Sequence, residues 1–221
     1  RHLRSTSATR RMVAGVLQPV REQGLLSPKR ETALQEFVSG SARVEGLLED
    51  FEIRYIAPAP DDLLLKMPEH SLDLVFTLAV LEHVRPTDLE MLLAGQRRVL
   101  KPDGLAYHDI GLGDHATGFD SRITYANFLQ YGDGLLWKWI GENSIAYHNR
   151  LRRSDFSRRF AAHGFIELWS APRVDPRSVE AIRSGRLRPA PRFAGYEVED
   201  LATWRFAVVL GRRGDGRPNS P

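Results

Sequence analysis

The sequence predicts an α/β protein built on a doubly wound, mainly parallel sheet. Three observations carry that expectation. Ser71-Leu72-Asp73-Leu74-Val75-Phe76-Thr77-Leu78 opens a short apolar run, rich in Leu and Val, that closes on Glu82-His83. Such a run, too short for a helix and bounded by polar residues, reads as a parallel strand buried on both faces. Asp88 to Leu100 has Leu89, Leu92, Leu93, Gln96 and Val99 on one side at helical spacing, with Asp88 favouring its N-terminus. Lys101-Pro102-Asp103-Gly104 then makes a turn before a second strand, Leu105 to Ile110. Strand, helix, turn, strand is half of a doubly wound fold.

The flanking elements follow the same logic. Residues 9–24 carry Met12, Val13, Val16, Leu17 and Val20 at helical spacing, with Pro19 expected to kink or end the helix. Ser27-Pro28 is a helix start, with Ser27 as N-cap and Pro28 in the first position. Ala33, Leu34, Phe37 and Val38 form its buried side and Gly40 stops it. A short helix covers 42–50. Residues 51–57 read as a strand broken by Pro58. Residues 111–149 are irregular and aromatic, a length that marks function rather than plain connection. A helix is expected over 154–163, a short one near 178–184, and strands over 165–170 and 203–210. The Gly-rich tail, 211–221, is expected to be disordered.

Composition bounds the function. The 221 residues fit one domain with an appendage, and 42% hydrophobic against 27% charged residues supports a packed core. Net charge is only +3. The pI near 9.4 reflects arginine, as in Arg150-Leu151-Arg152-Arg153. These clusters read as solvated helix faces, because aromatics do not alternate with them as a single-strand binder requires. There is no cysteine, which excludes disulfides, Cys-ligated zinc and a thiol nucleophile. No apolar run approaches the ~20 residues of a membrane span. The expected compartment is the cytoplasm, with neither membrane nor nucleic acid as partner and the oligomeric state left open.

The phrases around Leu72–Val84 and Arg98-Val99-Leu100-Lys101-Pro102-Asp103-Gly104 resemble the fourth-strand and fifth-strand motifs of class I S-adenosylmethionine-dependent methyltransferases, of the type 11 kind. Further on, Leu112-Gly113-Asp114-His115, Phe119-Asp120, Asn127-Phe128-Leu129 and Tyr147-His148-Asn149-Arg150-Leu151-Arg152-Arg153-Ser154-Asp155 resemble one branch of that family. The resemblance covers nearly all of residues 1–210. It implies a Rossmann-like sheet in the order 3-2-1-4-5-7-6. It also implies S-adenosylmethionine as cofactor and methyl transfer to a small or medium acceptor. The family's glycine-rich loop does not occur in residues 1–71. Arg1-His2-Leu3-Arg4 resembles a phrase just past the family's second strand, and no initiator Met precedes it. The expectation is therefore a fragment lacking two strands and the glycine loop, inactive by itself. Its parts would be a helical segment 1–50, the carboxyl part of the methyltransferase domain over 51–210 with an insertion at 111–149, and the tail. The Leu72 strand should then lack a neighbour on one side. Two other readings stand beside this one: a non-catalytic methyltransferase-like binding module, and an Arg-rich RNA-binding α/β domain.

Carried onto this chain, the resemblance implies cofactor contacts from Asp61 and Asp62 after the third strand. It implies others from Ala79, Val80, Leu81, Glu82 and His83 after the fourth. Asp61 and Asp62 equally suit a turn or a helix cap, and Glu82 and His83 equally suit capping of the next helix. Asp109-Ile110-Gly111-Leu112-Gly113 imitates a cofactor loop but follows the wrong strand. His108, Asp109, Asp114 and His115 cluster there; strand alternation puts His108 and Asp109 on opposite faces, so no metal is expected. Histidine can take a proton from a nucleophile, and His115 and His148 are the candidate catalytic residues. Each equally suits hydrogen bonding to buried backbone. Trp137, Trp139 and Tyr147 either wall an acceptor pocket or form a satellite core.

Overall fold

The computed structural model describes residues 7–24, 26–59, 62–134, 137–138 and 147–214. They fall into two compact units, 1–60 and 61–221.

The first unit is helical. α1 (Ser7–Glu22) runs past Pro19, which was expected to kink or end it. Pro19 lies near the helix end, where the bond its missing N–H forfeits is one of the last. α2 (Pro28–Ser39) starts as expected: Ser27 Oγ accepts from the Arg30 N–H at 3.4 Å, and Pro28 occupies the first turn. Gly40 ends it at φ 91°, a conformation that glycine adopts without Cβ strain. Ala33 and Phe37 are its buried residues. α3 (Val44–Asp50) follows. Residues 51–57 form a turn and an extended coil rather than the expected strand. Ile53 and Tyr55 lie exposed there, and no strand pairs with this run among the described residues.

The second unit holds the sheet. α4 (Leu63–Lys66) leads into β1 (Leu72–Leu78). α5 (Pro86–Val99) crosses over to β2 (Leu100–Gly111). After the aromatic loop come α6 (Arg153–Ala162), β3 (Phe165–Val174), α7 (Pro176–Arg183), α8 (Val198–Ala202) and β4 (Thr203–Arg212). The strand order is β1-β2-β4-β3, with β1 and β2 parallel and β4 antiparallel to both of its neighbours. This is a Rossmann-like α/β sheet. Its order corresponds to the 4-5-7-6 half of the arrangement that the resemblance implies, and β1 lies at its edge.

Residues 101–104 are not a free turn. β2 begins at Leu100, and the register passes from Leu72↔Leu100 to Leu74↔Leu105, so the Pro-Asp-Gly residues bulge within the strand. Alternation sorts the faces. Ala106, His108 and Ile110 of β2 and Phe206, Val208 and Leu210 of β4 are buried, in one core with Leu89 and Leu93 of α5 and Phe156 and Phe160 of α6. The β1 run was expected to be buried on both faces. Instead Leu74, Phe76 and Leu78 are 52, 62 and 57% exposed. Period-two geometry sends them to the face opposite Val75, which packs on the core. A second cluster, including Phe128, Leu129, Trp137, Leu187, Phe193 and Leu201, underlies the aromatic loop.

Candidate active site

Open α/β sheets bind ligands beyond the carboxyl ends of their parallel strands. Here that edge is Ala79 to His83 after β1 and Gly111 to His115 after β2. Ala79 turns the chain out of β1 at φ 52°, its N–H donating to the Asp109 carbonyl at 2.8 Å. A non-glycine residue in the left-handed region is strained and marks a place where the backbone path matters. Leu81–His83 then forms a 3-10 turn. Leu81 and Glu82 are buried; Val80 and His83 are exposed.

Glu82 is 1% exposed. Its Oε1 accepts the Gly111 N–H at 3.0 Å, and its Oε2 is buried with no hydrogen-bond partner among the described residues. Burial holds this carboxyl above its ordinary range, partly opposed by backbone N–H groups that favour the anion. A Cβ on Gly111 would lie 2.8 Å from Oε1, so glycine is what lets the carboxylate approach the strand.

Three histidines line the edge. The ring centroids of His83, His115 and His148 are 5.2, 5.4 and 5.9 Å apart. His148 is 4% exposed, with both nitrogens engaged: Nδ1 accepts the Arg150 N–H at 3.0 Å, and Nε2 donates to the Gly111 carbonyl at 3.2 Å. Burial, helped by Arg152, His115 and His83, pushes it well below the usual histidine range, so it is neutral. His115 is exposed; burial of part of the ring and the His83 charge lower it, against Asp114. His83 donates from Nδ1 to the Tyr147 carbonyl at 2.6 Å.

The segment 147–152 ties the edge together. Asn149 donates from its carboxamide to the Leu81 and Val84 carbonyls at 2.8 and 3.0 Å, and from its backbone to the Glu82 carbonyl at 2.9 Å. Arg150 is buried at φ 55°, its guanidinium 3.7 Å over Trp137, donating to the Tyr131 carbonyl and to Asp133. Arg152 is buried and donates to the Leu112 carbonyl at 2.7 Å; burial lowers its pKa to about 10.

The other sequence candidates fall as follows. Asp61 and Trp139 lie outside the described residues. Asp62 pairs with Lys66 Nζ at 2.7 Å along α4. Trp137 is buried in the satellite core. His108 bonds Thr77 Oγ1 at 2.9 Å inside the sheet. Asp109 takes a two-pronged bond from Arg205, both at 2.6 Å. Asp114 caps the 3-10 turn His115–Gly118 through the Ala116 N–H. These groups diverge, and no metal-holding cluster of His, Asp or Glu occurs among the described residues.

Residues 32–108 match the family model described as a methyltransferase domain. Over that segment the chain is similar to S-adenosylmethionine-dependent methyltransferases. The chain is 31% identical, over 108 residues, to the tRNA N(3)-cytidine methyltransferase METTL6 of Mus musculus. The match covers 48% of this chain and 33% of that protein, so the matched segment spans about a third of the length of this curated relative. Among solved structures the chain is similar to geranyl diphosphate methyltransferase in complex with S-adenosylmethionine. There the TM-score is 0.42 and the identity 14%, covering 81% of this chain and 65% of that one. It is also similar to the [4+2]-cyclase SpnF, at TM-score 0.42 and 16% identity, covering 83% and 62%.

The cofactor that the methyltransferase resemblance implies is S-adenosylmethionine. The edge fits such a group in part: apolar Leu78 and Val80 are open to a ligand, and the orphaned Glu82 Oε2 asks for a donor. Asn149 and Gly111 were not singled out from the sequence as site residues. The Tyr147-His148-Asn149-Arg150 phrase was the signal that could have found the first.

Proposed function

We propose that this protein serves methyl transfer from S-adenosylmethionine to a small or medium acceptor, with the edge 79–82 on the cofactor side and His83 where that edge meets the acceptor side. The acceptor lies under the loop that follows β2, on the side of His115 and His148. The observation that carries this is the orphaned Glu82 oxygen behind a strained Ala79, at the carboxyl edge of two parallel strands. When bound, the cofactor supplies an electrophilic methyl group. The protein's residues hold and orient: Leu78 and Val80 give apolar walls, Glu82 a carboxylate, and His148 fixes Gly111 and Arg150 around the acceptor side. Holding the reacting atoms in line supplies much of the acceleration such a displacement needs.

Residues 1–71 contain no glycine-rich loop, so binding by the 221-residue chain should be weak. A titration with S-adenosylhomocysteine followed by backbone NMR tests the reading. Shifts confined to 79–83 and 111–115 support it. An unmoved edge at saturating ligand, or shifts elsewhere only, would sink it.

A second reading takes its support from the printed name of the mouse relative: the acceptor is a tRNA. Salt-dependent retention of tRNA by the chain would favour it.

A further inference from the structure

We propose that His83 Nε2 is the proton acceptor of this edge, serving an acceptor whose nucleophile carries an exchangeable proton, a hydroxyl or an amine. The proposal rests on the reading of the edge as a methyl-transfer site.

The three histidines differ in what their nitrogens do. A carbonyl oxygen can only accept, so His83 Nδ1, 2.6 Å from the Tyr147 carbonyl, carries the proton. The neutral ring therefore presents its lone pair at Nε2. That atom has no hydrogen-bond partner among the described residues, and the side chain is exposed. His148 is spent, with a donor on one nitrogen and an acceptor on the other. His115 makes ring contacts with both, but among the described residues no hydrogen bond orients its ring. Only His83 among them combines a fixed tautomer with a free nitrogen, which is the arrangement a general base requires.

The orientation is supported from both ends. The His83 backbone sits in the 3-10 turn, whose Leu81, Glu82 and Val84 carbonyls are all held by Asn149. The orienting carbonyl belongs to Tyr147, two residues earlier on the same segment, and the Tyr147 ring lies 5.4 Å from the Arg85 guanidinium. One short stretch of chain thus places both the base and the group that aims it.

The proton balance is closed. The acceptor atom uses its lone pair to bond the methyl carbon, and the pair of the broken carbon–sulfur bond stays on sulfur. The acceptor's proton passes to His83 Nε2. The resulting imidazolium keeps its Nδ1–H on the Tyr147 carbonyl. A tertiary amine or a thioether has no proton to lose and gains nothing from this residue.

The test uses the 221-residue chain labelled with 15N-histidine, with His83→Gln to assign the signal. Long-range 1H–15N spectra at mildly alkaline pH should show neutral His83 protonated at Nδ1. Phenol, a hydroxyl probe, should move the Nε2 signal, and anisole, the same ring without the proton, should not. A ring protonated at Nε2, no response to phenol, or equal responses to both probes overturns the proposal. Titrating the same sample with S-adenosylhomocysteine separates the two readings. An unmoved 79–83 edge fails the site whatever the His83 tautomer, and the wrong tautomer fails His83 whatever the titration shows.

Discussion

Gly111 and Glu82 form a matched pair: the backbone N–H of one donates to a carboxylate oxygen of the other at 3.0 Å, inside a volume that admits no side chain at 111. Gly111→Ala would place a Cβ 2.8 Å from Glu82 Oε1. Overpacking of this kind costs about 1–3 kcal/mol, and here it also breaks a buried hydrogen bond. A fall in urea midpoint with unchanged slope is the expected result.

Glu82 makes stability depend on pH. Its folded-state pKa is raised by burial, so the unfolded chain gives up that proton first. The contribution is fully present below the ordinary value of 4.5 and is lost as pH rises through the raised one. Glu82→Gln keeps the shape and removes the charge. The gap between wild type and Glu82→Gln should grow in the variant's favour from pH 4.5 upward. A gap that stays flat with pH would contradict this account.

His108 acts in the opposite sense. Burial lowers its pKa from 6.5 to about 4. Stability from keeping it neutral is present above 6.5 and is lost as pH falls through about 4, an effect on the order of 3 kcal/mol in all. His108→Gln can still accept from Thr77. Acid unfolding of this variant should be shallower between these pH values, as followed by circular dichroism.

Asn149 closes three carbonyls of one turn. Asn149→Ala leaves two of them, at Leu81 and Val84, without their side-chain donors. The Leu81 carbonyl keeps the Val84 N–H at 3.3 Å, so the cost comes mainly from the Val84 carbonyl and is about 1–3 kcal/mol. Faster amide exchange at 80–84 than at β4 would place the damage in the turn rather than in the sheet.

Phe76 offers a control. It is large and apolar, yet 62% exposed on the open face of β1. Phe76→Gln should change stability by no more than about 0.5 kcal/mol. A loss of several kcal/mol would mean that the face is covered in solution.

Much of the site was legible because it depends on local order. The apolar run ending in Glu82-His83, the α5 spacing and the following strand place those two residues just past the carboxyl end of a parallel strand. What the pattern misjudged was the company each residue keeps. An apolar 51–57 reads as a strand, but a strand exists only when a partner strand supplies its ladder of hydrogen bonds, and none does among the described residues. His148 reads as a catalytic candidate by type. Its two backbone partners, Gly111 and Arg150, lie on different parts of the fold, and only tertiary structure shows that both nitrogens are used.

The sequence by itself determined the α/β class, the helix start at Ser27-Pro28, its stop at Gly40 and the strand–helix–strand unit, since periodicity and capping act over a few residues. Tertiary structure alone decided that Leu74, Phe76 and Leu78 stay open and that Glu82 is buried against Gly111. These depend on contacts between residues tens of positions apart, where burial and hydrogen-bond partners are set by packing rather than by neighbours in the chain.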